Sequence, residues 1–355
     1  MVHRLQVRDF RCFPILDIQF DPVFTCIVGK NAVGKTSLLE AVSVLVRLQS
    51  PRANSLSETI RFGSKGLVAD GQVSDYRMQF YYSETRRKLA LDGVVQKSSA
   101  SYLDVARTVY FANSDILLIS GSSDARRRFL DFIGSQFIKN YREILRFYEE
   151  ALRLRNTCLK QFPTKTRELA AYTKTLLRFG HQLTAVRAFL IERLEPLIID
   201  NFSFITDRNE CLNVQYRPGA TQDFEQALRE SAEEEGRFRA TVVGPHRDDI
   251  EFLLLSRPAQ RFASEGQQRT IALAAKLGYA KLLEQEFGKP PILLIDDIFS
   301  ELDPERRRRL ISALPPNAQQ LVTTTSLDWL QRSHNGKTYL LREEEHGATI
   351  LKATR

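Results

Sequence analysis

Phe24-Thr25-Cys26-Ile27-Val28-Gly29-Lys30-Asn31-Ala32-Val33-Gly34-Lys35-Thr36 runs from an apolar strand through a loop with a glycine near each end into an apolar-faced helix. Gly29 to Thr36 fits the pattern G-x-x-x-x-G-K-[ST], and the strand before it and helix after it are the context that pattern requires. The physical basis is direct. Glycines let backbone N–H groups curl around phosphates, the helix N-terminus adds positive potential, Lys35 neutralises phosphate charge and the Thr36 hydroxyl completes a Mg²⁺ shell. The octet Gly29, Lys30, Asn31, Ala32, Val33, Gly34, Lys35 and Thr36 therefore predicts a nucleotide site of the P-loop type without naming the reaction.

Working outward, Leu5 to Phe10 and Ile15 to Phe20 alternate as strands do, as do Arg77 to Tyr82 and Lys88 to Leu91, with a turn at Asp92-Gly93. Thr108 to Phe111 reads as a further short strand. From about Asp124 to Asp200 the period becomes helical, with Ile133, Phe137, Tyr141, Ile144 and Tyr148 on one stripe. Strand patterns return at Thr241 to Val243, Ile250 to Leu255, Ile292 to Ile295 and Gln320 to Val322, with helices over roughly 266–287 and 303–314. Nucleotide motifs flank the helical part, so the expected organisation is an ATP-binding lobe from residues 1–113 plus 240–355 and a mostly helical lobe from 114–239.

Pro291-Ile292-Leu293-Leu294-Ile295-Asp296-Asp297 is an apolar run ending in two acids, the pattern of a buried parallel strand whose C-terminal end meets a ligand. Asp296 suits Mg²⁺ held through water. Asp297 suits orientation or deprotonation of an attacking water. Ser264-Glu265-Gly266-Gln267-Gln268-Arg269 opens a helix; the Ser-x-x-Gln spacing serves either as a capping box or as an anion site. It resembles the ABC signature, a variant of L-S-G-G-Q, in which Ser264, Gly266 and Gln267 would complete the γ-phosphate site of another subunit. Ser300-Glu301-Leu302-Asp303 matches the D-loop of that class, although Asp303 before Pro304 is also a good helix N-cap.

These motifs, in order with Phe10-Arg11, Arg126-Arg127-Arg128-Phe129-Leu130-Asp131 and Gly244-Pro245-His246-Arg247-Asp248-Asp249, resemble the RecF family of bacterial recombinational-repair proteins, relatives of the SMC heads, over almost the whole chain. The fold class expected is α/β: an ABC-type ATPase head, that is a P-loop NTPase with a mixed sheet and an antiparallel β part, carrying an inserted helical lobe. The resemblance implies an ATP-dependent homodimer that binds double-stranded DNA near single-strand gaps and junctions. It further implies slow, DNA-stimulated ATP hydrolysis and help to RecR and RecO in loading recombinase. Two segments depart from related patterns. Asn113-Ser114-Asp115 replaces the usual Pro-Glu-Asp, and Thr323-Thr324-Thr325-Ser326 carries no counterpart of the switch histidine of ABC transporters. No histidine is given a catalytic role; His246 is read as a turn residue capping Asp248 or Asp249.

Composition agrees. The net charge of +8 favours an acidic partner such as nucleic acid, and residues 126–200 hold fifteen Lys/Arg against eight Asp/Glu. Arg126, Arg127 and Arg128 are the DNA-binding candidates, though a solvated helix face explains them nearly as well. Four scattered cysteines suit a reducing compartment, and no apolar run reaches the eighteen or so residues of a membrane span. A cytoplasmic protein with no membrane partner is expected. Rival classes are the ATPase subunit of a membrane transporter, a P-loop kinase, and an SMC-like scaffold, the last weakened by the lack of a long heptad run.

Overall fold

The computed structural model describes residues 1–53, 55–161, 166–206, 210–220, 223–327, 336–343 and 349–354. Two compact units form: Met1–Ser114 with Tyr279–Arg355, and Asp115–Gly278.

The first unit holds two sheets. One is antiparallel, in the order Phe13–Gln19, Val2–Phe10, Gly66–Val73, Tyr76–Ser83, Arg87–Leu91, Val94–Val95. Alternating burial along Val2–Phe10 and Phe13–Gln19 gives it one apolar face. The other runs Thr349–Thr354, Lys337–Glu343, Phe24–Val28, Gln320–Thr324, Ile292–Asp296, Thr108–Ala112; the first two strands are antiparallel and the remainder parallel. Ile292–Asp296 is buried along its whole length, as an interior parallel strand requires. The helix Lys35–Arg47 shares one core with both sheets and is buried from Leu38 through Arg47. The buried run is apolar apart from Ser43, Glu40, which pairs with Arg11, and Arg47, which donates to the carbonyls of Leu103 and Ala106. The Gln319 side-chain amide bonds both the N–H and the C=O of Val2 at 2.7 Å, joining the N-terminal strand to the turn before Gln320–Thr324.

In the second unit the helices Ser123–Phe137, Tyr141–Lys160 and Thr166–Thr206 accompany a small sheet of Leu212–Arg217, Asp249–Leu254 and Arg257–Pro258. Beside the apolar cluster of Ile144, Leu176, Leu183 and Phe224 this unit buries an ionic group. Arg187, 2% exposed, donates to Asp131 and Asp248 at 2.7 Å each and to the carbonyl of Pro245. Asp248 also accepts from Tyr216 and from the N–H of Gly219. A buried guanidinium needs such complete pairing to offset desolvation.

One expected strand is absent from this and one strand was not expected. Thr241 to Val243 is not a strand: the Thr241 N–H and hydroxyl both bond the Asn156 side chain, and Gly244 turns the chain at φ 125°. Gly66–Val73 is a strand although its two glycines and aspartate hide the pattern; a Cβ on Gly71 would lie 2.6 Å from the carbonyl of Arg4, so that close approach excludes any other residue. The first division of the chain falls at Ser114, one residue beyond 113, whereas the second falls at Gly278 rather than 239. Residues 240–278 cluster with the helices because Asp249–Leu254 pairs with Leu212–Arg217 and Asp248 is held by Arg187. The chain re-enters the first unit within the helix Glu265–Phe287.

Candidate nucleotide site

Val28, Asp296, Thr324 and Ala112 end neighbouring strands at one edge of the parallel sheet, the edge at which ligands bind in open α/β sheets. The loop from Gly29 to Gly34 leaves that edge. Ala32 at φ 68° and Gly34 at φ 102° are both left-handed, which curls the chain back on itself. A Cβ on Gly29 would stand 2.7 Å from the carbonyl of Leu341, and one on Gly34 would stand 2.6 Å from Cys12 Sγ. The glycines of the motif are thus demanded by the packing beneath the loop as well as by its curl. No side chain caps the helix that starts at Lys35, which leaves its first N–H groups available to an anion.

Lys35, 6% exposed, donates from Nζ to the carbonyls of Gly29 and Lys30 at 2.7 and 2.8 Å, so the ammonium closes the loop. Burial pulls its pKa below the ordinary lysine value, with Asp297 and Asp296 opposing that shift. Thr36 donates to Asp296 Oδ1 at 3.0 Å. The same oxygen accepts from Thr323 at 2.6 Å, and Oδ2 accepts from the buried Tyr110 at 2.8 Å. A hydroxyl and one carboxylate side by side fit Mg²⁺, which is ordinarily held by one or two protein oxygens together with substrate phosphates. Among the described residues no group of three or more His, Cys, Asp or Glu offers a self-sufficient metal cage.

Asp297 takes a left-handed backbone at φ 52°. Its N–H bonds the Thr323 carbonyl at 3.1 Å and the Thr323 hydroxyl at 3.2 Å; Ser300 donates to its carbonyl and to Oδ1, each at 2.9 Å. Asn113 reaches the carbonyl of Asp297 at 3.4 Å and Glu301 Oε1 at 2.7 Å. Asp303 caps the helix Pro304–Ala313 through the N–H of Arg306 at 2.9 Å, so the folding explanation of that residue holds. Tyr110 was not singled out from the sequence, and Ser300, Asn113 and Thr323 stood there only as members of the D-loop and of the two departing segments, with no contact to either acid expected. The signal available was register: Thr323 is the parallel partner of Asp296.

The signature-like turn lies in the other unit. Ser264 Oγ accepts from the N–H of Gln267 at 3.3 Å and Gln267 Oε1 accepts from the N–H of Ser264 at 2.9 Å, a complete capping box. Ser264 is exposed and Gly266 half-buried. Gln268 ties the preceding turn by donating to the carbonyls of Ala259, Gln260 and Ala263.

The arginine trio separates by environment. Arg126 is buried and held by Asp249 and by the carbonyls of Leu118 and Gly121, because the helical stripe turns it inward; it is removed from the DNA candidates. Arg127 bonds the carbonyl of Asp248 and the carboxylate of Asp124. Arg128 alone of the three is exposed. His246 caps neither Asp248 nor Asp249. Its Nε2 donates to the Thr241 carbonyl at 3.1 Å, which leaves Nδ1 to accept from Tyr148 at 2.7 Å, and burial lowers its pKa to about 4.

A family model described as the RecF/RecN/SMC N-terminal domain matches residues 1–348. The DNA replication and repair protein RecF of Symbiobacterium thermophilum is 34% identical over 341 residues, covering 91% of each chain. That of Lacticaseibacillus casei is 33% identical, covering 92% of this chain and 94% of its own. A structure of the recombination mediator protein RecF with ATP superposes with a TM-score of 0.87 at 28% identity, covering 99% and 97% of the two chains. An SMC head bound to the winged-helix domain of ScpA superposes at 0.57 and 15% identity, a likeness of fold alone. No helix among the described residues is long and apolar enough to cross a membrane.

Proposed function

The chain belongs to the RecF/RecN/SMC N-terminal domain family, among its RecF proteins of DNA replication and repair, and from that premise we propose that it is an ATP-driven dimer switch acting on duplex DNA. ATP lies on Gly29 to Thr36 of one subunit and is covered by Ser264, Gly266 and Gln267 of a second copy, with Asp303 beside it. Neither half suffices, so nucleotide binding becomes dimerisation free energy. The closed pair clamps DNA next to a single-strand gap, and RecR and RecO use that position to load recombinase.

The observation that carries this reading is the set of groups gathered at one sheet edge: the curled loop, Lys35, the Thr36 and Asp296 pair, and Asp297 held beside them. Lys35 supplies fixed positive charge to the phosphates. Thr36 and Asp296 would hold Mg²⁺, which would supply positive charge to the phosphates. Asp297 positions water for in-line attack on the γ-phosphorus; the bond to the bridging oxygen breaks, ADP and phosphate leave, and the dimer loses its cover. Exposed Arg128 and the basic helices contact phosphates of DNA, giving affinity without sequence readout.

Asp297→Asn tests the hydrolytic arm. It should retain ATP and DNA while turnover falls by about 10²-fold, the scale of one positioned catalytic carboxylate. Unchanged turnover would move water activation to another residue.

A further inference from the structure

Thr323 sits between the two acids and touches both. Its hydroxyl has a single proton, and the 2.6 Å contact to Asp296 Oδ1, an oxygen that can only accept when ionised, fixes where that proton points. The lone pairs then face the N–H of Asp297 at 3.2 Å. A directional chain results, from Asp297 N–H through the Thr323 hydroxyl to the Asp296 carboxylate, and such chains strengthen each link by polarisation. Asp297 needs that hold. A non-glycine residue at φ 52° is strained, and strain of this kind persists only where the surroundings over-determine it. Tyr110 makes a useful comparison, because it is 4% exposed and donates to the other oxygen of the same carboxylate, Asp296 Oδ2.

We propose that Thr323 is a positioning residue that locks the metal-holding acid Asp296 and the water-orienting acid Asp297 into one register. The assignment rests on the nucleotide-site reading above. The position is set by the fold: Gln320–Thr324 lies parallel beside Ile292–Asp296 with Thr323 paired to Asp296, so the hydroxyl emerges on the same face as the carboxylate. Valine at this site preserves shape and the backbone bond from Asp297 N–H to the Thr323 carbonyl at 3.1 Å, and deletes only the hydroxyl.

The test pairs Mg²⁺ titration of a fluorescent, slowly hydrolysed ATP analogue with steady-state turnover at saturating Mg²⁺ and thermal melting. Loss of an outer-shell partner ordinarily weakens metal affinity or activity by about 10- to 100-fold. For Thr323→Val we expect the Mg²⁺ concentration at half-saturation to rise about tenfold and kcat at saturating Mg²⁺ to fall about tenfold, with Thr323→Ser returning both to within about threefold of the parent. Tyr110→Phe, which removes the hydroxyl donated to Asp296 Oδ2, should raise the Mg²⁺ requirement and lower kcat at saturating Mg²⁺ less than Thr323→Val does. Should valine impair folding, Thr323→Ala against Thr323→Ser makes the same comparison, since both lack the methyl and only one keeps the hydroxyl. Parental values in the hydroxyl-less variant, or a variant that loses Mg²⁺ affinity but keeps kcat, would overturn the coupling. A folded parent protein that does not bind the analogue would instead refute the nucleotide-site reading itself.

Discussion

Replacing Lys35 by methionine keeps the aliphatic stem and removes the ammonium. In the free protein that ammonium closes the loop onto two carbonyls at 2.7 and 2.8 Å, and the nearby Lys30 is exposed, so water can replace part of the loss. A hydrogen bond from a charged donor contributes about 1.5–3 kcal/mol, which bounds the destabilisation at about 2 kcal/mol once hydration of the loop is counted. The cost to nucleotide is larger, because the ammonium is the buried fixed charge that the loop holds toward the phosphates. Losing one charge-assisted contact to phosphate, about 3 kcal/mol in this half-enclosed setting, weakens binding by about 150-fold. Equilibrium titration with a fluorescent ATP analogue at low protein concentration reads this directly, with far-ultraviolet circular dichroism as the control for folding. A folded variant that binds the analogue within threefold of the parent would refute the role given to Lys35, and with it the view that the ammonium rather than the loop backbone dominates phosphate affinity.

His246 titrates well below its ordinary 6.5, at about 4, because burial disfavours its charged form; Arg247 and Arg127 push the same way and Asp248 opposes. The unfolded chain therefore binds more protons between those two values, so stability is intact above about pH 6.5 and is lost as pH falls toward 4, by at most about 1.4 kcal/mol per pH unit. Urea denaturation across pH 4 to 7 should show that slope, and His246→Gln should flatten it. Arg128→Ala should weaken duplex binding and reduce the slope of log K against log salt by about one unit, as loss of a single phosphate contact does. Arg126→Ala should instead lower the unfolding midpoint, because it leaves Asp249 without its guanidinium partner, and a variant with unchanged stability but weakened DNA binding would reverse that assignment.

Reading outward from the phosphate loop recovers the parallel sheet well, because Phe24–Val28 and Ile292–Asp296 are short apolar runs with polar punctuation at their ligand-facing ends. The sequence order of Gly29 to Thr36, Asp296 and Asp297 likewise brings the phosphate loop and both acids to one edge. What escaped the sequence was relational. Thr323 and Tyr110 belong to strands far from Asp296 in the chain, and only the order of strands makes them its neighbours. Arg126 looks like its two neighbours in sequence, yet helical periodicity turns it toward Asp249 while Arg128 faces solvent. His246 shares its turn with Asp248 and Asp249, but a side chain from a distant helix, Tyr148, takes its Nδ1. Local pattern thus located the loop, acids and caps, whereas partners supplied by tertiary packing had to be seen.

The shared-site claim is tested most directly by light scattering of the full chain with and without ATP and duplex DNA, alongside Ser264→Arg. Ser264 is exposed at the start of its helix, so arginine fits the monomer and leaves the phosphate loop untouched. The parent should change from monomer to dimer mass on adding ATP, and the variant should bind ATP and remain a monomer. A variant that dimerises normally with ATP would remove the signature turn from the site and contradict the account.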